Sequence, residues 1–157
     1  METSQDLLSI GQSFPIGPTL KKNGVNFCLF SKNAEKVDLL LFDHVEDVTP
    51  QQIISLDPTT HRTYHYWHVF VPSIKRGQLY GYKVTGPHDP SQGHRFDREK
   101  ILLDPYAKSV AFPKNFRRGD YTHAGTLAVP SLKSVVCDCP AMIGMAMSIR
   151  GVLLHKR

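Results

Sequence analysis

Five short segments rich in β-branched, aromatic and other apolar residues recur along the first half of the chain, at spacings of about a dozen residues. They cover 25–31, 36–42, 52–56, 66–71 and 79–85. Short strands at this interval, separated by turns that contain Gly, Pro, Asn and Asp, are typical of an all-β sandwich. The sequence therefore predicts that fold class, and no helix longer than two turns is expected.

The last two of these segments are apolar on both faces, because side chains of a strand point alternately to its two sides. In 66–71, one face carries Trp67, Val69 and Val71, and the other carries Tyr66, His68 and Phe70. In 79–85, one face carries Tyr80, Tyr82 and Val84, and the other carries Leu79, Gly81 and Lys83. Such strands are covered on both sides by a second layer, a flanking loop or another domain. Trp67 is expected in the core because it shares its face with two valines, although an exposed ring would suit sugar stacking.

Turn residues and a change of composition divide the chain. Residues 1–10 are expected to be flexible, and the sandwich is expected to occupy 11–86. A hairpin turn is predicted at Asn23-Gly24, since both residues tolerate positive φ. From 87 to 138 the chain is turn-rich and has only short apolar clusters, yet it is too aromatic for a free linker. An extended, mostly irregular arm that packs along a surface is expected there.

The charge balance argues against a nucleic-acid partner. The net charge is +5, but three basic residues and no acids lie in 141–157, so residues 1–140 carry 16 basic and 14 acidic residues. The longest apolar stretches are far short of the roughly 20 residues that cross a bilayer, and the N-terminus lacks the features of a secretory signal. The three cysteines form no disulfide framework, and the C-x-C pair lacks the second ligand pair of a zinc site. A cytoplasmic protein without a membrane partner is expected.

Catalytic and metal-binding groups are sparse. Glycosidic chemistry needs two carboxylates facing each other across a cleft, whereas the adjacent Glu46 and Asp47 have the pattern of solvated charges in a turn. His61, His65 and His68 would align on a helix but alternate poorly for one metal ion on a strand. The sequence has no Gly-rich phosphate loop and no Ser or Cys nucleophile motif. No catalytic residue, metal or other cofactor is therefore expected.

Lys83 is the candidate ligand-binding residue. It shares a strand face with Gly81, and this small neighbour leaves room for a ligand hydroxyl. The alternative is an ordinary solvated lysine. The residues alone leave both interpretations open.

Several motifs resemble the N-terminal domain of one enzyme family, in order and at its spacing, over residues 11–138. They are G-x-x-F-P-I-G at 11–17, GVNFCLFS at 24–31, A-x-x-V at 34–37, LLFD at 40–43, WHVFV at 67–71, GQLYGYKVTGPHDPSQGHRFD at 77–97 and KILLDPYAK at 100–108. The family is the isoamylase-type glycogen debranching enzymes of glycoside hydrolase family 13. The resemblance implies an immunoglobulin-like sandwich of the family-48 carbohydrate-binding type, followed by a catalytic (β/α)₈ barrel that hydrolyses α-1,6 branch points.

The resemblance also implies roles for individual residues. Carbohydrate-binding relatives bind glucan through two tryptophans and a lysine. Lys83 matches the lysine, but neither tryptophan is matched, so α-glucan is expected to bind weakly or not at all. The matching positions Arg95, Phe96, Asp104 and Tyr106 are expected to pack toward the barrel rather than bind ligand.

The family's catalytic carboxylates lie on the barrel, so this chain alone is predicted to be an inactive, non-catalytic module whose natural neighbour is the missing barrel. The alternatives are a free-standing α-glucan-binding module, or a protein-interaction module whose interdomain face meets another protein.

The last segment, 139–157, departs from the family pattern, because an aromatic-D-W-x-G-D motif normally follows SVVCD (134–138). Methionine has a single codon, so the Met-rich tail constrains its own DNA. The neighbouring frame can encode Y-D-W-D-G-D followed by E-H-P. An out-of-frame tail after a frameshift is therefore predicted, and the gene sequence would test it. An amphipathic membrane segment and a terminal helix are the alternatives, but Arg150 and the glycines at 144 and 151 disfavour them.

Overall fold

The computed structural model describes residues 9–114, 116 and 130–138, and these form an all-β fold as expected. The strands are β1 (Gly17–Lys21), β2 (Gly24–Phe30), β3 (Lys36–Phe42), β4 (Gln52–Leu56), β5 (Arg62–Thr63), β6 (Tyr66–Pro72), β7 (Leu79–Thr85), β8 (His88–Asp89), β9 (His94–Arg95), β10 (Val110–Ala111) and β11 (Lys133–Val135). Within this part of the chain the single helical element is the 3₁₀ turn Pro90–Gln92. The five predicted segments correspond to β2, β3, β4, β6 and β7.

Two antiparallel sheets form the sandwich. Sheet A has the order β1-β2-β6-β5, and sheet B has the order β10-β11-β7-β3-β4. Strands β8 and β9 make a small separate hairpin. The strand pattern predicted an all-β sandwich, and the arrangement is the immunoglobulin-like type that the family resemblance implied.

The core consists of the inner faces of both sheets, and the predicted alternation is confirmed. Sheet A contributes Val25, Phe27, Leu29, Trp67, Val69 and Val71, and sheet B contributes Val37, Leu39, Leu41, Ile54, Leu56, Tyr80, Tyr82 and Val84. The rings of Phe27 and Tyr80 meet edge to face across the two layers, with centroids 4.9 Å apart. Trp67 is completely buried, so it belongs to the core and offers no sugar platform.

The first hairpin differs from its prediction. Lys21 pairs with Gly24, so Lys22 and Asn23 form the turn. Neither Asn23 nor Gly24 has a positive φ. The glycine is needed for a different reason: a Cβ at position 24 would overlap the Val71 carbonyl oxygen at the end of β6.

The segment that precedes β1 covers the outer face of sheet A. Ser9 exchanges two backbone hydrogen bonds with Phe70, at N···O distances of 3.0 and 3.2 Å. Asn26 and His68 point outward and bond to the carbonyls of Gln12 and Ile10. This flanking segment is the covering layer expected over a strand with two apolar faces, and residues 1–8 lie outside the described part.

The arm completes sheet B. Strand β11 pairs with the first two residues of β7, and Leu102 bridges to Tyr82 at its centre. Strand β10 then pairs with β11. The arm thus supplies strands to the same sheet as β7. The division of the chain into a sandwich and an arm at residue 86 stays a prediction. The predicted out-of-frame tail, 139–157, lies outside the described residues.

Candidate functional site

The candidate site lies on the outer face of sheet B, around Lys83. Strand β7 occupies the middle of the sheet, and Lys83 points away from the core because Tyr82 and Val84 point into it. Its partner across the sheet is Asp38 on β3, and Ser55 follows on β4. These side chains form a polar strip that faces outward.

On this strip the carboxylate of Asp38 is bonded to other residues, so among the described residues the ammonium of Lys83 is left without a partner. Lys36 pairs with Asp38, with an N···O distance of 3.1 Å, and the Ser55 hydroxyl donates to the same carboxylate. Lys83 is half-buried, and within the described residues its ammonium makes neither a hydrogen bond nor an ion pair. A hydrogen-bond donor that no neighbour uses can serve a ligand hydroxyl.

The room expected beside Gly81 is filled, so this expectation is wrong. A Cβ at Gly81 would lie 2.8 Å from Ile101 Cγ2 and 3.3 Å from the Leu102 carbonyl oxygen. The arm therefore occupies the space next to Lys83. Glycine is required here for the close approach of the arm rather than for a ligand.

Asp104 lies inside the module. Its carboxylate accepts a hydrogen bond from the Tyr80 hydroxyl at 2.8 Å and another from the Tyr106 amide at 2.8 Å. Its own amide donates to Ser134 Oγ at 3.0 Å. Burial raises the pKa of the Asp104 carboxyl and outweighs these hydrogen bonds, which lower it. The carboxylate thus ties the arm to β7 and β11.

The other three residues assigned to interdomain packing occupy different places. Arg95 is exposed on β9, opposite His88. Phe96 is half-buried, packs against the core and fills the space above Gly86. Tyr106 is 55% exposed. Arg95 and Tyr106 are accessible to a neighbouring domain, whereas the carboxylate of Asp104 is used internally. Their interdomain role stays a prediction.

A buried lysine was missed from sequence. Lys133 on β11 is fully buried, and its ammonium donates to the carbonyls of Val45 and Ser131 at 2.7 and 3.3 Å. It also lies 4.6 Å from the centre of the Phe42 ring. Burial lowers the pKa of Lys133, and the nearby Asp47 and Glu46 oppose that shift. The only available signal was a charge within the apolar run LKSVV.

The rings of His61 and His68 make hydrogen bonds within the fold. His68 bonds to Thr63 Oγ1 at 2.8 Å and to the Ile10 carbonyl at 2.7 Å. The His61 ring bonds to the backbone of Asp57 at 3.1 Å. In residues 9–114, 116 and 130–138, three or more His, Cys, Asp or Glu side chains nowhere come together as possible metal ligands.

The same residues include no helix of the length and apolarity that a bilayer crossing requires.

A comparison with known families agrees with the fold. Residues 15–107 match the model of carbohydrate-binding module 48, the isoamylase N-terminal domain. The chain belongs to this family. Sequence had predicted this from the motifs between 11 and 108, and the prediction is confirmed.

Relatives extend the match and place the module within larger proteins. A glycogen operon protein GlgX homolog of Mycobacterium bovis is 43% identical over 134 residues, which are 85% of this chain but 17% of that protein. A glycogen debranching enzyme of Yersinia enterocolitica is 44% identical over 103 residues, 66% of this chain and 15% of that enzyme. This module therefore spans about one sixth of the length of the curated relatives that it matches.

A solved structure supports the fold. The catalytic module of the pneumococcal glycogen-degrading protein SpuA, in complex with an inhibitor, superposes with a TM-score of 0.55. The match covers 89% of this chain and 19% of that one, at 21% identity. At this identity the likeness concerns the fold alone.

Proposed function

We propose that this chain is the non-catalytic, α-glucan-contacting module of a cytoplasmic glycogen debranching enzyme, positioned beside a barrel that hydrolyses α-1,6 branch points. The observation that carries the proposal is the unused ammonium of Lys83 on the open face of a carbohydrate-binding module. The names of the relatives support the glycogen context. The buried thiol of Cys28, which donates to the Ser13 carbonyl, suits a reducing compartment.

Binding at Lys83 is weak for two structural reasons. The chain's one tryptophan is buried in the core, so it cannot stack against a sugar at this face. The space beside Gly81 is filled by Ile101, so the ligand meets a flat strip rather than a pocket. A flat site with one free donor gives little of the buried area that tight small-molecule sites use.

Lys83→Ala is expected to reduce the fraction of protein that co-sediments with glycogen by about tenfold or more, because a hydrogen bond from a charged donor contributes about 1.5–3 kcal/mol and about 1.4 kcal/mol is tenfold in a binding constant. Lys21→Ala removes the same charge from the exposed end of β1 and serves as the control. The wild-type chain is expected to release no reducing sugar from branched glucan. Equal sedimentation of both variants, or detectable hydrolysis, would contradict the proposal.

A second candidate function is packing against a protein surface. Leu102, Tyr106 and Phe112 on the arm are all more than 40% exposed. Large apolar side chains exposed on one segment commonly mark an interaction surface. A catalytic barrel is the proposed neighbour, and Arg95, Phe96 and Tyr106 are the proposed contacts.

If this second candidate is correct, the chain should self-associate as its concentration rises, and glycogen should not change this association. Dynamic light scattering of the purified chain should show a rising hydrodynamic radius, and Phe112→Lys should lower that radius at a fixed concentration. Ile53→Lys changes an exposed apolar residue of β4 and is the control. A constant monomer radius across the series would dismiss this candidate.

A further inference from the structure

The hairpin between β5 and β6 has an unusual loop. Thr63 pairs with Tyr66, so Tyr64 and His65 form a two-residue turn. Tyr64 has a φ of 58°, and its side chain is 77% exposed. Glycine or asparagine normally occupies such a position, because a Cβ makes the left-handed conformation unfavourable. The chain therefore holds a large aromatic side chain outward at a position where a small residue would fold more readily.

Strained residues with exposed side chains concentrate at functional sites, where the strain is compensated by the surrounding structure. The core does not need the Tyr64 ring, since most of it faces solvent. Folding therefore gives no reason for tyrosine at this position, which favours a role in binding.

Tyr64 is part of a continuous aromatic surface. Its ring lies on the ring of His65, with centroids 3.8 Å apart. The His65 ring in turn meets Phe30 edge to face at 6.1 Å, and Phe30 meets Tyr66 at 5.3 Å. Phe30 is 48% exposed, although it belongs to a central strand of sheet A. We call Tyr64, His65 and Phe30 the hairpin platform.

The platform also has an unused polar atom. His65 Nδ1 is buried and has no hydrogen-bond partner within the described residues. A buried polar atom without a partner is costly, so most are satisfied in native structures. The unpaired nitrogen belongs to a ring that lies against the exposed ring of Tyr64, so the platform combines an accessible aromatic surface with an unused polar atom.

Arg62 holds the hairpin in place. Its guanidinium group donates to the carbonyls of Tyr64 at 2.9 Å and Lys32 at 3.1 Å, and it lies 5.0 Å from the centre of the Trp67 ring. The Ser31 amide donates to the His65 carbonyl at 2.9 Å. These bonds connect the loop to β2 and to the core, so the rings are ordered before any ligand arrives. Such preorganisation reduces the entropic cost of binding.

We propose that the hairpin platform is a stacking site for an α-1,4-linked glucan, separate from Lys83 and on the other sheet. The proposal rests on the glucan-binding function proposed above. An aromatic face matches the C–H face of a pyranose ring, and Tyr and His add polar edges that can bond to sugar hydroxyls. The platform supplies the aromatic contact that the face around Lys83 lacks.

The test is a titration of the ¹⁵N-labelled 157-residue chain with maltoheptaose, followed by NMR. The amides of Phe30, Tyr64 and His65 should shift, and these shifts should persist in Lys83→Ala. Tyr64→Gly should weaken the dissociation constant at these amides about five- to tenfold, a loss typical of one aromatic contact. Its melting temperature should not fall, since glycine suits a positive φ.

Matched variants separate the ring from the backbone. Tyr64→Phe keeps the ring and should bind like the wild type. Tyr64→Asn also tolerates a positive φ and should lose binding, which keeps the test decisive if the glycine variant folds poorly. Tyr106→Ala removes an exposed tyrosine elsewhere and should leave the constant unchanged.

Two outcomes would overturn the inference, and they differ in whether the proposed function is also overturned. Shifts confined to the face around Lys83, with Tyr64→Gly binding like the wild type, would remove the hairpin platform and keep the proposed function. No shift at any amide would remove both. Shifts at the platform that Lys83→Ala leaves intact, and that Tyr64→Gly abolishes, would establish it.

Discussion

Replacing Trp67 by alanine is expected to lower the free energy of unfolding by about 3–5 kcal/mol, the usual cost of truncating a large buried aromatic side chain. Trp67 is fully buried between the two sheets. Its indole Nε1 donates to the Ser31 carbonyl at 3.2 Å, and Arg62 lies over its ring. The substitution removes core volume, a hydrogen bond and the contact that anchors Arg62.

Urea denaturation followed by circular dichroism measures this change, because the variant loses the only tryptophan as a fluorescence probe. Phe112→Ala removes an exposed aromatic ring from the arm and should change the free energy of unfolding by no more than about 0.5 kcal/mol. A loss below about 1 kcal/mol for the Trp67 variant would be incompatible with a core position.

Asp104→Ala is expected to cost about 2–4 kcal/mol, because it leaves the Tyr80 hydroxyl and the Tyr106 amide without their shared acceptor. Tyr80→Phe alone should cost less, since it removes one of the two donors. The double variant should lose less stability than the two single variants predict by addition, because the two groups bond to each other. Strict additivity would show that the hydrogen bond adds nothing to stability.

The same residue gives a pH dependence with a definite sign. Burial raises the pKa of the Asp104 carboxyl above its ordinary value of 3.8, so the folded state holds the proton more tightly than the unfolded state. Stability from this group is therefore greatest below the ordinary pKa and is lost as the pH rises through the raised one. The difference in unfolding free energy between the wild type and Asp104→Asn should fall as the pH increases from 4. A difference that grows with pH would contradict this.

The strands that sequence predicted correctly are those with the strongest local signal. Segments 52–56 and 79–85 coincide with β4 and β7, since their apolar residues alternate and turn residues flank them. Strand β1 was missed because GPTLK has one large apolar residue and begins with glycine and proline. It forms because it pairs with β2, which is a tertiary effect that local propensity does not contain.

Within the candidate site, sequence singled out Lys83 and the strand face that it occupies, but it did not predict the surroundings of this residue. Alternation places a side chain on a face, whereas the approach of Ile101 to Gly81 depends on how the arm returns to the sheet. Lys133 and Tyr64 were missed for the same kind of reason. The burial of Lys133 depends on the carbonyl of Val45 in a distant loop. The exposure of Tyr64 depends on a left-handed turn that a tyrosine would not suggest.

Strand β7 has consequences for synthesis of the chain. One of its edges is paired by β3, which emerges earlier, but the other is paired by β11, whose residues 133–135 come much later. Leu102 can bridge to Tyr82 on that edge sooner, but a ribosome must deliver nearly the whole described chain before Leu79 and Tyr80 gain their partners. Until then an apolar strand with open hydrogen-bonding groups is exposed to other nascent chains, a situation that favours misassembly and that chaperones act on.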